Sequence, residues 1–349
     1  MKGTLALLIS IVVAVICWGG YGPVLDAGRT DMGGSSLRPF ICVGLAYFLI
    51  AVLAPGILLQ MTGEKGRWSP SGIVWSLIAG AAGAIGALGV ILAFKFGGRP
   101  IYVMPLVFGG APVVNTFLTM FLARSYRQAG PIFFAGLILV IAGGIIVLVS
   151  RPSHAPPKPA AAAPQAAPEA KPGALAGLET SALALLFTAM TALAWGFYGP
   201  TLHKGQMAME GSRLRPFICV GLAYFVIAVV VPMMLLRTEP DGHFTWTGSI
   251  WSLAGGAAGA LGALGIIMAF NFGGRPIFVM PIVFGGAPVV NTFIAVSRTG
   301  GFGEIGPVFY AGLIAVIAGA VTVLLFAPKA HPLAPAATPA PKTAAGAKA

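Results

Sequence analysis

The chain has 349 residues, of which 57% are hydrophobic and 9% charged, with a net charge of +12 and a mean hydropathy of +0.91. Soluble domains are about a quarter charged, and a chain this apolar could not cover its own surface with polar groups, so a soluble globular protein is excluded. The positive charge does not point to nucleic acid either: there is no soluble basic face, and Lys and Arg at span ends reach lipid headgroups instead.

Ten apolar runs follow in order, at about 4–25, 40–61, 72–94, 101–123, 131–150, 180–202, 217–236, 249–271, 277–297 and 305–327. Each is roughly 20–23 residues, enough at 1.5 Å per residue to cross a hydrocarbon core of about 30 Å as a helix. Lipid offers backbone groups no partners and the runs do not alternate, so an all-α fold is expected and a barrel is not. The first run follows Met1-Lys2-Gly3 as a signal peptide would. No small-residue cleavage site follows it, and the same stretch recurs at 180–202. The runs group into a five-helix unit over 1–150, a Pro/Ala-rich linker over 151–178, a second five-helix unit over 179–327 and a disordered tail over 328–349.

The two units are copies. Residues 37–51 read LRPFICVGLAYFLIA and 214–228 read LRPFICVGLAYFVIA, with fourteen of fifteen positions identical. Residues 94–117 and 270–293 agree at 21 of 24 positions, differing at Lys95/Asn271, Tyr102/Phe278 and Leu106/Ile282. Five spans per copy is an odd number, so the second copy is expected to enter the membrane from the opposite side. Inverted repeats of this kind are the plan of many secondary transporters, with a solute site near the midplane. Orientation is set weakly: with the N-terminus inside, 12 of the 21 basic residues fall on the cytoplasmic side.

WGxYGP occurs at 18–23 and again at 195–200. Trp18, Trp195, Tyr21 and Tyr198 could stack on a ring or a sugar face; an interfacial aromatic belt with a proline helix stop is the competing reading. Arg38 and Arg215 open the second span of each copy, where snorkelling to headgroups is the default. The third span carries Gly80, Gly83, Gly86 and Gly89, and the eighth Gly256, Gly259, Gly262 and Gly265. These ladders are mainly a packing signal, since small residues let backbones approach. Pro105 and Pro112 flank Gly109-Gly110 in the fourth span, as Pro281 and Pro288 flank Gly285-Gly286 in the ninth. Interior prolines predict kinks, and the glycine pairs predict unwinding that frees carbonyls into a protein-lined cavity. Asn115 and Asn291 follow, and an amide at that depth is expected to face inward, as solute contact or interhelical staple. Lys95 stands where the second copy has Asn271, a difference that could bind one asymmetric solute.

Other chemistry is sparse. Asp26, Asp31, Glu64, Glu169, Glu179, Glu210, Glu239, Asp241 and Glu304 all fall in expected loops or at span edges, which argues against a mid-membrane proton relay. Cys17, Cys42 and Cys219 form no CxxC pair, and His154, His203, His243 and His331 are isolated, so neither metal site nor catalytic set is expected. No cofactor is expected, and the partners are a small-molecule solute and the bilayer; a monomer and a homodimer both fit.

Taken together, Trp18 and Trp195, Arg38 and Arg215, the glycine-rich third helices and Pro105 and Pro281 resemble the drug/metabolite transporter superfamily, its EamA-like branch and related sugar and ureide uptake families. The resemblance covers about 300 residues. It implies ten helices as two inverted five-helix repeats, both termini cytoplasmic in the plasma (inner) membrane, and a central cavity lined by the third and fourth helices of each copy. The activity it implies is alternating-access transport of a small polar or amphiphilic metabolite. A passive channel or lipid-translocating protein and a non-transporting scaffold or sensor are the alternatives. The chain departs from the EamA pattern after the fourth helix, where Arg124-Ser125-Tyr126-Arg127 replaces the usual Glu and only Glu304 is a loose counterpart in the second copy.

Overall fold

The computed structural model describes residues 2–122, 129–150, 174–239, 242–272, 276–299 and 305–326. Every regular element among them is helical: α1 (Lys2–Asp31), α2 (Leu37–Phe48, a π-helical turn at Leu49–Leu53, then Ala54–Thr62), α3 (Pro70–Lys95), α4 (Pro100–Leu122) and α5 (Pro131–Val149). The second copy gives α6 (Ala174–Ala208), α7 (Leu214–Phe225, a π-helical turn at Val226–Val230, then Val231–Leu235 and a 3-10 turn at Leu236–Thr238), α8 (Trp246–Asn271), α9 (Pro276–Thr299) and α10 (Pro307–Leu325). Among the described residues nine helices are long and apolar enough to cross a membrane; α9 carries a shorter apolar stretch, Ile282–Arg298. The chain is a helical, multi-pass integral membrane protein. The tail, most of the linker, Arg124–Arg127, Arg275 and Glu304 lie outside the described residues.

Several boundaries differ from the sequence reading. α6 starts at Ala174, inside the segment expected to be linker, because ALAGLE after Pro172-Gly173 is rich in good helix formers. α1 and α6 run to Asp31 and Ala208, through Pro23 and Pro200, where one of the two readings placed a helix stop. A proline removes one backbone bond and crowds the carbonyl four residues earlier. Those residues are Gly19 and Gly196, and α1 and α6 are held past the prolines by tight packing of Gly28 on Ser252 and Gly205 on Ser76. Likewise α4 is helical through Pro105 and Pro112, and α9 through its prolines, so the unwinding expected at Gly109-Gly110 and Gly285-Gly286 is absent. Gly109 serves close approach: a methyl there would stand against Val316 of α10.

The helices pair across the copies. α1 packs along α8 and α9, α6 along α3 and α4, and α5 along α10. The glycine ladders explain this. Steps of three residues turn a helix by 300°, so successive glycines swing back by about 60° and four of them sweep half the circumference. Gly80 and Gly83 face Val220 and Tyr224 of α7, whereas Gly86 and Gly89 face Trp195 and Thr191 of α6. In α8, Gly256 and Gly259 face Val43 and Tyr47 of α2, and Gly262 faces Trp18 of α1. Each ladder thus seats two helices of the other copy, and an added methyl would push both away.

α2 and α7 cross at their centres, where Tyr47 and Tyr224 stack with centroids 3.7 Å apart and planes 2° off parallel. Gly44 packs on Ala228 and Val229 in the π-helical turn of α7; Gly221 packs on Ala51 and Val52 in that of α2. At one end of the pair Glu239, in the loop after α7, meets the start of α2. Its carboxylate accepts from Ser35 Oγ (2.7 Å), Ser36 N (2.8 Å) and Leu37 N (3.2 Å), with Arg38 Nη1 at 3.6 Å. At the other end Glu64, after α2, accepts from Ser212 Oγ (2.7 Å), Arg213 N (2.9 Å) and Leu214 N (3.3 Å), with Arg215 Nη1 at 3.5 Å. The two helices therefore run head to tail. Each glutamate caps a helix N-terminus of the other copy, where orphan amides and the helix dipole favour an anion.

Candidate functional site

The residues singled out by sequence divide between the centre of the bundle and its rim. At the centre, Trp18 Nε1 donates to Gly259 O and Trp195 Nε1 to Gly83 O, both at 3.2 Å. Both indoles sit on the glycine ladders, so they are neither a membrane-interface belt nor free stacking surfaces. Close approach is possible because glycine leaves the backbone carbonyl bare, and the bond satisfies the one polar atom of a half-buried indole.

The rings form a chain across the middle. Trp18 lies 6.1 Å from Phe284, Phe284 lies 6.3 Å from Phe108, and Phe108 lies 6.2 Å from Trp195. Tyr21 meets Trp195 edge-on at 5.8 Å, as aromatic quadrupoles prefer. Phe108 and Phe284 are counterparts, and they meet where α4 crosses α9. The Tyr47–Tyr224 stack joins this cluster, with Tyr198 packed against it. Sequence reading picked Trp18, Trp195, Tyr21 and Tyr198 but missed Tyr47, Tyr224, Phe108 and Phe284. The signal was present, since all four fall in the repeated blocks. Tyr21 Oη is buried without a hydrogen-bond partner.

Asn291 is fully buried. Its Nδ2 donates to the carbonyl of Pro100, the first residue of α4, at 2.8 Å, while its Oδ1 has no partner. Asn115 is half-buried, and its Oδ1 accepts from Thr119 Oγ1 at 3.3 Å. Asn271 and Pro281 lie in α8 and α9, and their side chains are outside the description.

Lys95 sits at the rim, at the end of α3, with Nζ 3.7 Å from Glu239 Oε1 and apart from the aromatic cluster. Arg38 and Arg215 do not snorkel: each side chain is 12% exposed and held by a carboxylate and a serine. Burial pushes the Glu239 carboxyl upward, but the Ser36 amide, Ser35 hydroxyl, Leu37 amide and Lys95 charge outweigh it and hold the group below the ordinary glutamate value. The three cysteines are free, and no cluster of metal-ligating side chains occurs among the described residues.

No protein-family model matches the sequence, and no curated protein does. Eight chains of solved structures match the fold. One, described as "Crystal structure of protein", superposes with a TM-score of 0.53 at 18% identity, covering 93% of this chain and 98% of its own. At that identity the likeness is one of fold alone.

Proposed function

We propose that the chain is a ten-helix secondary carrier, built as two inverted five-helix copies, that moves a small polar or amphiphilic metabolite by alternating access around the central aromatic cluster. The observation that carries this reading is the head-to-tail pairing of α2 and α7. Two near-identical helices with Arg at one end and Glu just past the other exchange these partners reciprocally. That is the relation expected of copies with an odd number of spans each. The aromatic cluster includes Tyr47 and Tyr224 of this pair, and the buried, unpartnered Tyr21 hydroxyl within it suits the polar group of an amphiphilic solute. The order of motifs that resembles the drug/metabolite transporter superfamily adds to the case. The reading includes the plasma membrane as location and cytoplasmic termini.

Two measurements test it. Lys65→Cys and His243→Cys, in corresponding exposed loops, should react with an impermeant maleimide from opposite faces of the membrane; labelling from one face would end the inverted reading. Metabolites that raise the thermal stability of the purified protein should then show saturable uptake and counterflow in proteoliposomes. Flux without counterflow would assign a channel, and binding without flux a scaffold or sensor.

A further inference from the structure

The end of the bundle beyond Tyr21 gathers arginines that neither the glutamate caps nor the aromatic cluster uses. Asp26 lies five residues past Tyr21 on α1, about 7.5 Å along the axis, and its carboxylate is within electrostatic reach of Arg29, Arg99 and Arg298. Three elements bring these together. Arg29 is the next turn of α1, with Nε 3.8 Å from Asp26 Oδ1. Arg298 comes from the last turn of α9; its Nη1 donates to Pro23 O at 3.0 Å, and its guanidinium lies 5.3 Å from the ring centre of Trp251 in α8. Arg99 stands just before α4, whose first carbonyl, that of Pro100, is held by Asn291 of α9 at 2.8 Å.

The group is short of negative charge. Three guanidiniums face one carboxylate, and Glu239 at this end is occupied by the start of α2, Arg38 and Lys95. At 3.8 Å the Arg29–Asp26 contact is too long for a hydrogen bond, and Arg29 Nε is buried without a partner. Arg99 is half-buried and makes no hydrogen bond or ion pair among the described residues. Packing of the fold does not call for the cluster. The corresponding positions of the other copy hold Gln206, Leu122 and His203 in place of Arg29, Arg298 and Asp26, and only Arg99 has a basic counterpart in sequence, Arg275. Nor do the arginines snorkel: Arg29 turns onto Gly34 O at 3.1 Å, and Arg298 onto α1 and Trp251.

We propose that Arg29, Arg99 and Arg298 bind the anionic group, a carboxylate or a phosphate, of an amphiphile, with Asp26 as the resident counter-ion that competes with it. The inference rests on the carrier reading and names its cargo, an organic anion with an apolar body. A guanidinium is a planar fork of donors that matches either anion. Arg298 is exposed and the Asp26 side chain 32% exposed, so the site opens to solvent, and its positive excess draws anions to this mouth of the bundle. A bound anion has the aromatic cluster one to two turns along α1, beginning at Tyr21. A lipid headgroup offers the same chemistry, and the test separates the two sources.

The purified full chain in a non-ionic detergent is titrated calorimetrically with naphthoate, naphthyl phosphate and the neutral naphthamide. The anions should bind at least about tenfold more tightly than the amide. Arg99→Gln, which removes no bond among the described residues, should weaken both anions about tenfold and the amide less than about twofold. Asp26→Asn removes the competing carboxylate and should tighten the anions by about threefold or more. A cluster that only holds α1, α4 and α9 together does not give opposite signs at its two kinds of member. Lys204→Gln, which removes a cation from Trp75 at the far end, should leave all three affinities unchanged. Phosphatidylglycerol in mixed micelles is the fourth probe. If it fails to displace the naphthyl anions, the occupant is a soluble anion; displacement that depends on Arg99 gives the site to a lipid headgroup and overturns the cargo. No saturable binding of either anion, equal affinity for the amide, or anion affinities unmoved by Arg99→Gln overturns the site. If the site holds but no bound metabolite shows counterflow, the carrier reading fails by itself; if a neutral metabolite shows counterflow that Arg99→Gln leaves intact, the anion site fails and the carrier stands.

Discussion

At Glu64 the serine hydroxyl, two backbone amides and the arginine lie 2.7, 2.9, 3.3 and 3.5 Å from the carboxylate; at Glu239 the same four donors lie at 2.7, 2.8, 3.2 and 3.6 Å. The amides at the ends of the central site share no such likeness: Asn291 is bonded and sealed, Asn115 is half-buried. The contrast separates two kinds of contact. The latches at the glutamates join a loop to a helix start at each end of the α2–α7 pair, and they match because they fix the copies together. The amides differ because their neighbours do: Asn115 accepts from Thr119, whereas Asn291, with Ala295 in that place, donates across to the carbonyl of Pro100.

The largest effect that would break this comparison is loss of a latch. Glu64→Ala and Glu239→Ala each strand a serine, two amides and an arginine, which should cost about 2–4 kcal/mol, seen as a lower unfolding temperature of the detergent-solubilised protein. The two losses should agree closely, and a large inequality would mean that the two latches are not equivalent in holding the copies together. At Glu239 the effect is also read in pH. Its folded-state pKa is lowered, so the stabilisation is complete above the ordinary glutamate value and disappears as pH falls through the lowered one. Glu239→Gln should remove that part of the acid dependence. Next in size, Trp18→Phe and Trp195→Phe each delete one interhelical bond to a glycine carbonyl, worth about 0.6–1.7 kcal/mol in a membrane bundle. Equal losses place the indoles with the matched latches, and unequal losses with the unmatched amides. The smallest effect is expected from Lys95→Asn, whose ion pair is 43% exposed on the lysine side and should contribute less than about 1 kcal/mol. Solute affinity measured on the same variant decides whether Lys95 also meets the cargo.

Much of the fold was legible because lipid imposes it. Apolar runs of fixed length mark the spans, and two repeated blocks mark the copies. The helices running through Pro23 and Pro200 were harder to foresee, because what holds them past the prolines is contact between distant residues, Gly28 on Ser252 and Gly205 on Ser76. The role of the tryptophans was hidden for a different reason: their partners are backbone carbonyls of Gly83 and Gly259, and every residue has a carbonyl. The latches were hidden by distance, since Glu239 meets Ser35 some 204 positions away. The difference between the two amides was partly legible: Asn115 has Thr119 one turn on to donate to its Oδ1, and the second copy has Ala295 there.

The cross-copy pairing has an evolutionary corollary. Trp18 docks on Gly259 and Trp195 on Gly83; Glu64 clasps Arg215 and Glu239 clasps Arg38. Each half of the gene therefore encodes both the plug and the socket of every such joint, so a solitary ancestral half could have met a second molecule of itself through the same surface. Later fusion would have freed the halves to diverge one position at a time, and Lys95 opposite Asn271 is such a departure.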